Sequence, residues 1–199
     1  LDRIVASAQH QLSLIDEVLT YARTEAGWEA IAPVEVDLRD VAMEAVEVIR
    51  PLAEEKGLAF EVDLPDEPVP IRTDQTKARQ ILINLLSNAV KFTEEGRVSL
   101  RMRRDGEGAV IDVSDTGIGI EPEAQQRIFE PFVQVEEALT REKGGTGLGL
   151  AVAHRLTRML GGTVTLESEP GVGSTFTVRL PSLPVGKKPS GSDETREAA

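Results

Sequence analysis

At 199 residues with 40% hydrophobic content, the chain carries enough apolar material for one folded domain and a small appended element. Its net charge of −12, from 22 basic against 34 acidic residues, argues against a nucleic-acid partner, whose phosphates must be neutralised by many cations. The absence of cysteine excludes disulfides and thiolate metal sites and fits a reducing, cytoplasmic setting, while two histidines, His10 and His154, cannot form a metal cluster unaided.

The longest apolar runs, such as ILINLL at 81–86, fall well short of the about 20 residues a bilayer-crossing helix needs, so no membrane contact is expected. Beginning at Leu1, already in helical register and without an initiator Met, the chain reads as a piece of a longer protein. Leu1, Ile4, Val5, Ala8, Leu12, Ile15, Val18, Leu19 and Ala22 recur at helical spacing. One helix with so wide a stripe buries little alone, so residues 1–27 are expected to pack in a helical bundle with a second chain.

Residues 28–36 read as a short linker. Asp37, with Asp40 three residues on, opens a helix that runs to a stop at Gly57, with Pro51 a candidate kink. LAFEVDL at 58–64 alternates as a strand with Leu58, Phe60, Val62 and Leu64 on one face, and a loop rich in Pro and Asp follows. TDQTKARQILINLLSNAVKFT is a second strong helix, after which VSLRMR and AVIDVSD form a strand hairpin. Pro122 signals a short helix, and a long loop leads to a glycine-rich stretch and a helix over 147–160. TVTLES and TFTVRLP are further strands around the turn EPGVGS, and the tail 182–199 has no apolar period and is expected to be disordered. Strands with one apolar face predict an α/β fold in which helices cover one side of a mixed or antiparallel sheet.

Three segments carry chemistry. In NLLSNAVKF, the residues Asn84, Asn88 and Lys91 share one helix face. Amide oxygens can ligate Mg²⁺ without repelling a polyphosphate, and Lys91 can act as a point charge on phosphate; a solvated polar face is the other reading. In VIDVSDTGIGI, Asp115 continues the parity of Ala109, Ile111 and Val113, which aims a carboxylate at the apolar side and calls for a donor such as an adenine amine. Gly117 and Gly119 allow close approach to a flat base, although an Asx turn with permissive glycines would give the same pattern. In GGTGLGL, the residues Gly144, Gly145, Gly147 and Gly149 precede a helix start, which is either an anion site, with Thr146 adding a hydroxyl, or a hinge. The spacing matches neither the Walker nor the Rossmann fingerprint.

Taken in order, Asn-x-x-x-Asn-Ala-x-Lys-Phe, Asp-x-Gly-x-Gly, FEPF at 129–132 and Gly-Thr-Gly-Leu-Gly-Leu resemble the catalytic ATP-binding domain of sensor histidine kinases, within the group that includes gyrase B, Hsp90 and MutL. The resemblance covers about 37–181 and implies a two-layer α/β sandwich, the Bergerat-type ATP-binding fold, preceded by one bundle-forming helix. It implies Asn88 as the Mg²⁺ ligand with Asn84 beside it, Lys91 and Phe92 along the nucleotide, Asp115 on the adenine amine, and Gly117, Gly119 and Ile120 around the base. It further implies that Phe129 and Phe132 anchor a lid over roughly 133–143, with Arg141 and Lys143 as candidate γ-phosphate cations. On the lid's far side Gly144, Gly145, Thr146, Gly147, Leu148 and Gly149 would grip phosphate.

LSLIDEVLTYARTEAG resembles the second helix of the family's dimerisation and phosphotransfer domain, which implies a homodimer and a response-regulator partner for the whole protein. The family's phosphoacceptor box is absent: His10 is followed by QLSL and reads as merely exposed on its helix, and His154 reads as structural. The implied function is transfer of the ATP γ-phosphoryl group to a histidine outside this sequence. A nucleotide-dependent interaction module without phosphoryl transfer is the alternative. An ATPase of the gyrase kind would carry an acid where Asn84 stands.

Overall fold

The computed structural model describes residues 18, 19, 22, 30–133 and 146–184. Of the expected bundle helix, Val18, Leu19 and Ala22 are helical and the rest lies outside the described residues, as do most of the expected lid and residues 185–199. The described elements are β1 (Val34–Asp37), α1 (Leu38–Glu55), β2 (Ala59–Asp63), β3 (Pro70–Thr73), α2 (Gln75–Phe92), β4 (Arg97–Asp105), β5 (Gly108–Asp115), α3 (Pro122–Gln125), α4 (Gly149–Met159), β6 (Thr163–Glu169) and β7 (Gly173–Leu180).

Five strands form one sheet in the order β2-β4-β5-β7-β6, parallel between β2 and β4 and antiparallel elsewhere. Alternation along the strands divides the sheet into two faces. Val98, Leu100, Ile111, Val113, Phe176 and Val178 are buried against the helices. The opposite face carries ion pairs such as Arg101 with Asp63 and Arg103 with Asp112. Helix α2 contributes Ile81, Leu82, Leu85 and Leu86, all fully buried, and each such side chain supplies about 1.5–3 kcal/mol of transfer free energy. This is the two-layer α/β arrangement the strand patterns predict, with a mixed sheet covered by helices on one side.

The ends of the domain differ from expectation. Residues 34–36, read as part of a linker, pair antiparallel with β3, which itself lies in the stretch read as a loop. After β7, Leu183 N–H donates to the Arg72 carbonyl at 2.7 Å and Ser182 Oγ accepts from Arg72 N–H at 3.0 Å, so 182 and 183 belong to the fold rather than to a tail. Four-residue strands carry too little pattern to stand out from loops, and their partners are remote in sequence.

Two aspartates fasten this ribbon to the helices. Asp74 begins α2 by accepting from Lys77 N–H at 3.1 Å, and its other oxygen accepts from Ala32 N–H at 3.0 Å. Asp37 begins α1 by accepting from Arg39 N–H at 3.1 Å and also from Val69 N–H at 3.0 Å. The Arg39 side chain on Asp37 outweighs the effect of burial and, helped by those N–H groups, holds the carboxyl at about 2. A depressed value means that this stabilisation is complete above the ordinary 3.8 and is lost as pH falls through about 2. Asp37→Asn is therefore expected to lower Tm at neutral pH and to flatten the acid decline across that window, which melts followed by circular dichroism will read.

Candidate functional site

The C-terminal half of α2, the N-terminus of α4 and the end of β5 meet around three of the predicted motifs. Asn84 and Asn88 share a helix face as their spacing requires, but they differ in environment. Asn84 is buried: its Oδ1 accepts from Gln80 Nε2 at 2.9 Å and its Nδ2 donates to the Gly149 carbonyl at 3.1 Å. Its Nδ2 ties α2 to α4, while Oδ1 accepts within α2 and keeps a second lone pair, so Asn84 has a structural role that Asn88 lacks. Asn88 is half-buried, and its side chain makes no hydrogen bond among the described residues. A Cβ added to Gly149 would lie 3.5 Å from its Nδ2, so the two helices approach closely here.

Lys91 places its ammonium over the Phe92 ring, 4.9 Å from the centroid, at the end of the same helix. The carbonyls of that last turn lack helical partners. Lys56, just beyond α1, donates its Nζ to the carbonyls of Val90 at 2.7 Å, Lys91 at 3.1 Å and Thr93 at 3.1 Å. The Phe92 carbonyl instead faces the loop after β5, where it accepts from Ile118 N–H at 3.3 Å. A Cβ on Gly117 would come within 2.4 Å of that carbonyl, so only glycine fits.

Asp115 is half-buried at the end of β5, as its parity predicts. Burial raises its carboxyl above the usual range, and the N–H groups of Gly117 and Ser174 oppose this in part. The Gly117 N–H reaches Oδ1 at 2.8 Å, which is the Asx turn, so the turn and the inward-facing carboxylate coexist. The following loop is braced against the β6–β7 hairpin: Ile120 N–H donates to Ser168 Oγ at 2.9 Å, Gly171 N–H to the Ile118 carbonyl at 2.7 Å, and Gly119 lies against the Glu169 carbonyl. Ile120 is partly buried on the core.

At the other side, Thr146 Oγ1 accepts from Leu148 N–H at 3.1 Å, just ahead of α4. Leu148 was expected at the phosphates, but its side chain is fully buried and its N–H is held by Thr146. Gly147 has φ of 72°, which favours glycine, and its carbonyl accepts from Phe132 N–H at 3.2 Å. Phe129 packs on the core, 5.0 Å from the His154 ring and edge-on to Phe176 at 6.3 Å. Phe132, by contrast, is 63% exposed, and its N–H ties the adjoining segment to Gly147. His154 is pushed below its ordinary value by burial and then by Arg158. His10, Arg141, Lys143, Gly144 and Gly145 lie outside the described residues.

Lys56 and Ser168, which brace the site from outside the motifs, escape sequence reading because each acts on residues more than thirty positions away. Gln80, one turn before Asn84, could have been found from helical spacing. Among the described residues there is no group of three His, Cys, Asp or Glu able to hold a metal. No described helix is long and apolar enough to cross a membrane.

Residues 73–184, more than half of the chain, match the family of histidine kinase-, DNA gyrase B- and HSP90-like ATPases, and the chain belongs to that family. Its relatives are sensor histidine kinases. It is 41% identical over 191 residues to the circadian input-output histidine kinase CikA of Synechococcus elongatus, covering 92% of this chain and 25% of the relative. It is 39% identical over 186 residues to the sensor histidine kinase RcsC of Escherichia coli, covering 91% of this chain and 20% of that protein. The chain thus spans a quarter or less of the length of these curated relatives.

Among solved structures, full-length ShkA in complex with AMPPNP superposes with a TM-score of 0.78 at 38% identity, over 89% of this chain and 37% of that one. The histidine kinase AdeS of Acinetobacter baumannii shares the fold, with a TM-score of 0.74 at 22% identity over 91% of this chain and 83% of that one.

Proposed function

We propose that the chain is the ATP-binding catalytic part of a two-component sensor histidine kinase. It would transfer the ATP γ-phosphoryl group to a histidine on a helix outside this sequence, for relay to an aspartate of a response regulator. The observation that carries the reading is Asp115. A half-buried carboxylate at a sheet end, one oxygen on the Gly117 N–H, lies beside the Phe92 carbonyl and suits a purine that offers an exocyclic amine. Guanine would present a carbonyl there and be repelled.

Asn88, whose carboxamide is unengaged among the described residues, is the group best suited to hold Mg²⁺ together with the ATP phosphates. When bound, the ion would neutralise phosphate charge. Lys91 adds a cation from the same helix face, and the α4 N-terminus, with Gly147 and Gly149, adds backbone N–H groups and a positive dipole. The protein's work is then positioning and charge stabilisation, because in-line phosphoryl transfer asks for little covalent chemistry. Asn84, an amide engaged with Gln80 and the Gly149 carbonyl, cannot take a proton from water, which favours transfer over gyrase-type hydrolysis.

In the whole protein, residues 1–27 would form the second helix of a dimerisation bundle, 28–36 the connection to the catalytic domain from 37 onward, and the homodimer would work in the cytoplasm. Arg141, Lys143, Gly144 and Gly145 would close over the γ-phosphate. The test is to titrate Mg²⁺-ATP into the chain by calorimetry, then add a dimerisation segment from the parent protein and follow γ-³²P label. Label is expected on the added segment's histidine and not on this chain alone. Binding without transfer would favour the interaction-module reading, and label on His10 would overturn the assignment of the acceptor.

A further inference from the structure

We propose that Lys56 is a positioning residue for adenine recognition, acting on Asp115 through the C-terminal end of α2. The inference rests on the ATP reading above and adds a residue that no motif includes.

The last turn of a helix presents unpaired carbonyls at the negative end of its dipole, and a cation placed there is favourable. Lys56 meets two of them, those of Val90 and Lys91 at 2.7 and 3.1 Å, together with the carbonyl of Thr93 just beyond the helix at 3.1 Å. Its own backbone is held at the end of α1, with Lys56 N–H on the Leu52 carbonyl at 3.4 Å and Gly57 N–H on the Glu54 carbonyl at 2.9 Å. The ammonium therefore reaches α2 from a fixed root. Of the other two carbonyls of that turn, Ala89's accepts from Thr93 Oγ1 at 2.7 Å, and Phe92's faces the base loop, receiving Ile118 N–H at 3.3 Å and closing on Gly117. Gly117 N–H in turn holds Asp115 Oδ1 at 2.8 Å.

A chain of short contacts thus runs from the Lys56 ammonium to the carboxylate expected to read adenine. Lys56 touches no nucleotide in this scheme. It sets the angle of the final α2 turn and so the place of Phe92, Gly117 and Asp115. Losing three charge-assisted bonds frees that turn to fray and blurs the register of Asp115 against the base.

A double-mutant cycle in the full chain tests this, with Lys56→Met and Asp115→Asn made singly and together. ATP and GTP affinities are read by calorimetry below the melting range of every variant. Lys56→Met is expected to weaken ATP by about 10-fold (~1.4 kcal/mol) and to narrow the ATP-over-GTP preference. In the Asp115→Asn background it should weaken ATP less than about 2-fold, because the carboxylate being positioned is gone. Lys56→Arg, which keeps a cation and donors, should recover most of the affinity.

Unchanged ATP affinity in Lys56→Met with only a lower Tm would overturn the proposal, as would additive losses in the cycle. If Lys56→Met does not fold, Lys56→Gln runs the same cycle, with non-additivity expected and additivity overturning. A wild-type chain that binds no ATP would instead sink the underlying reading.

Discussion

Asp115→Asn is expected to weaken ATP binding by roughly 10- to 100-fold while raising the melting temperature at neutral pH. The loss follows from removing a charged acceptor for the adenine amine, since hydrogen bonds to charged groups contribute about 1.5–3 kcal/mol. The gain follows from linkage. Burial raises the Asp115 carboxyl above the ordinary 3.8, so its contribution to stability is complete below that value and is lost as pH rises through the folded value. Burial thus disfavours the ionised form of this carboxylate in the folded chain.

Asparagine removes the charge yet keeps an oxygen for the Gly117 N–H, so the turn survives. The stability difference should shrink on acidification and vanish below the ordinary carboxylate value. Paired melts and ATP titrations across pH decide the matter. A variant that loses both affinity and stability would mean that Asp115 supports the loop rather than the ligand.

The second large effect is expected at Asn88. Asn88→Ala should lower Mg²⁺-ATP affinity on the order of 100-fold (~2.7 kcal/mol) and abolish phosphoryl transfer to an added histidine segment. It should leave the melting temperature near wild type, because Asn88 makes no hydrogen bond among the described residues. Asn84→Ala should behave in the opposite way. It removes the bond from α2 to the Gly149 carbonyl and leaves Gln80 without this acceptor, and should destabilise the fold by about 1–3 kcal/mol. The informative readout is the ratio of ATP affinities with Mg²⁺ and with EDTA. That ratio should collapse in Asn88→Ala and persist in Asn84→Ala; equal collapse in both would return Asn84 to the role of a second ligand.

This contrast marks the limit of spacing arguments. A separation of four residues puts Asn84 and Asn88 on one face, and the structure has them there. Spacing says nothing about what lies over that face. Gly149, at the start of α4, lies close to both, yet Asn84 is buried with its Nδ2 on the Gly149 carbonyl and Asn88 stays half-buried. Spacing is equally silent on backbone turns: Phe132 takes a positive φ of 63°, which sets its N–H on the Gly147 carbonyl.

By itself the sequence determined the helix and strand periodicities, the one-sided sheet and the inward parity of Asp115, since each depends on residues within a few positions of one another. Only the tertiary structure decided that β1 pairs with β3, that residues 182 and 183 close on that ribbon, and that Lys56 caps a helix whose last turn lies more than thirty residues away. Those contacts join short segments across long stretches of chain, and their stability comes from partners that local pattern does not contain. The inward carboxylate of Asp115 was therefore legible as a residue, whereas the scaffold that holds it was not.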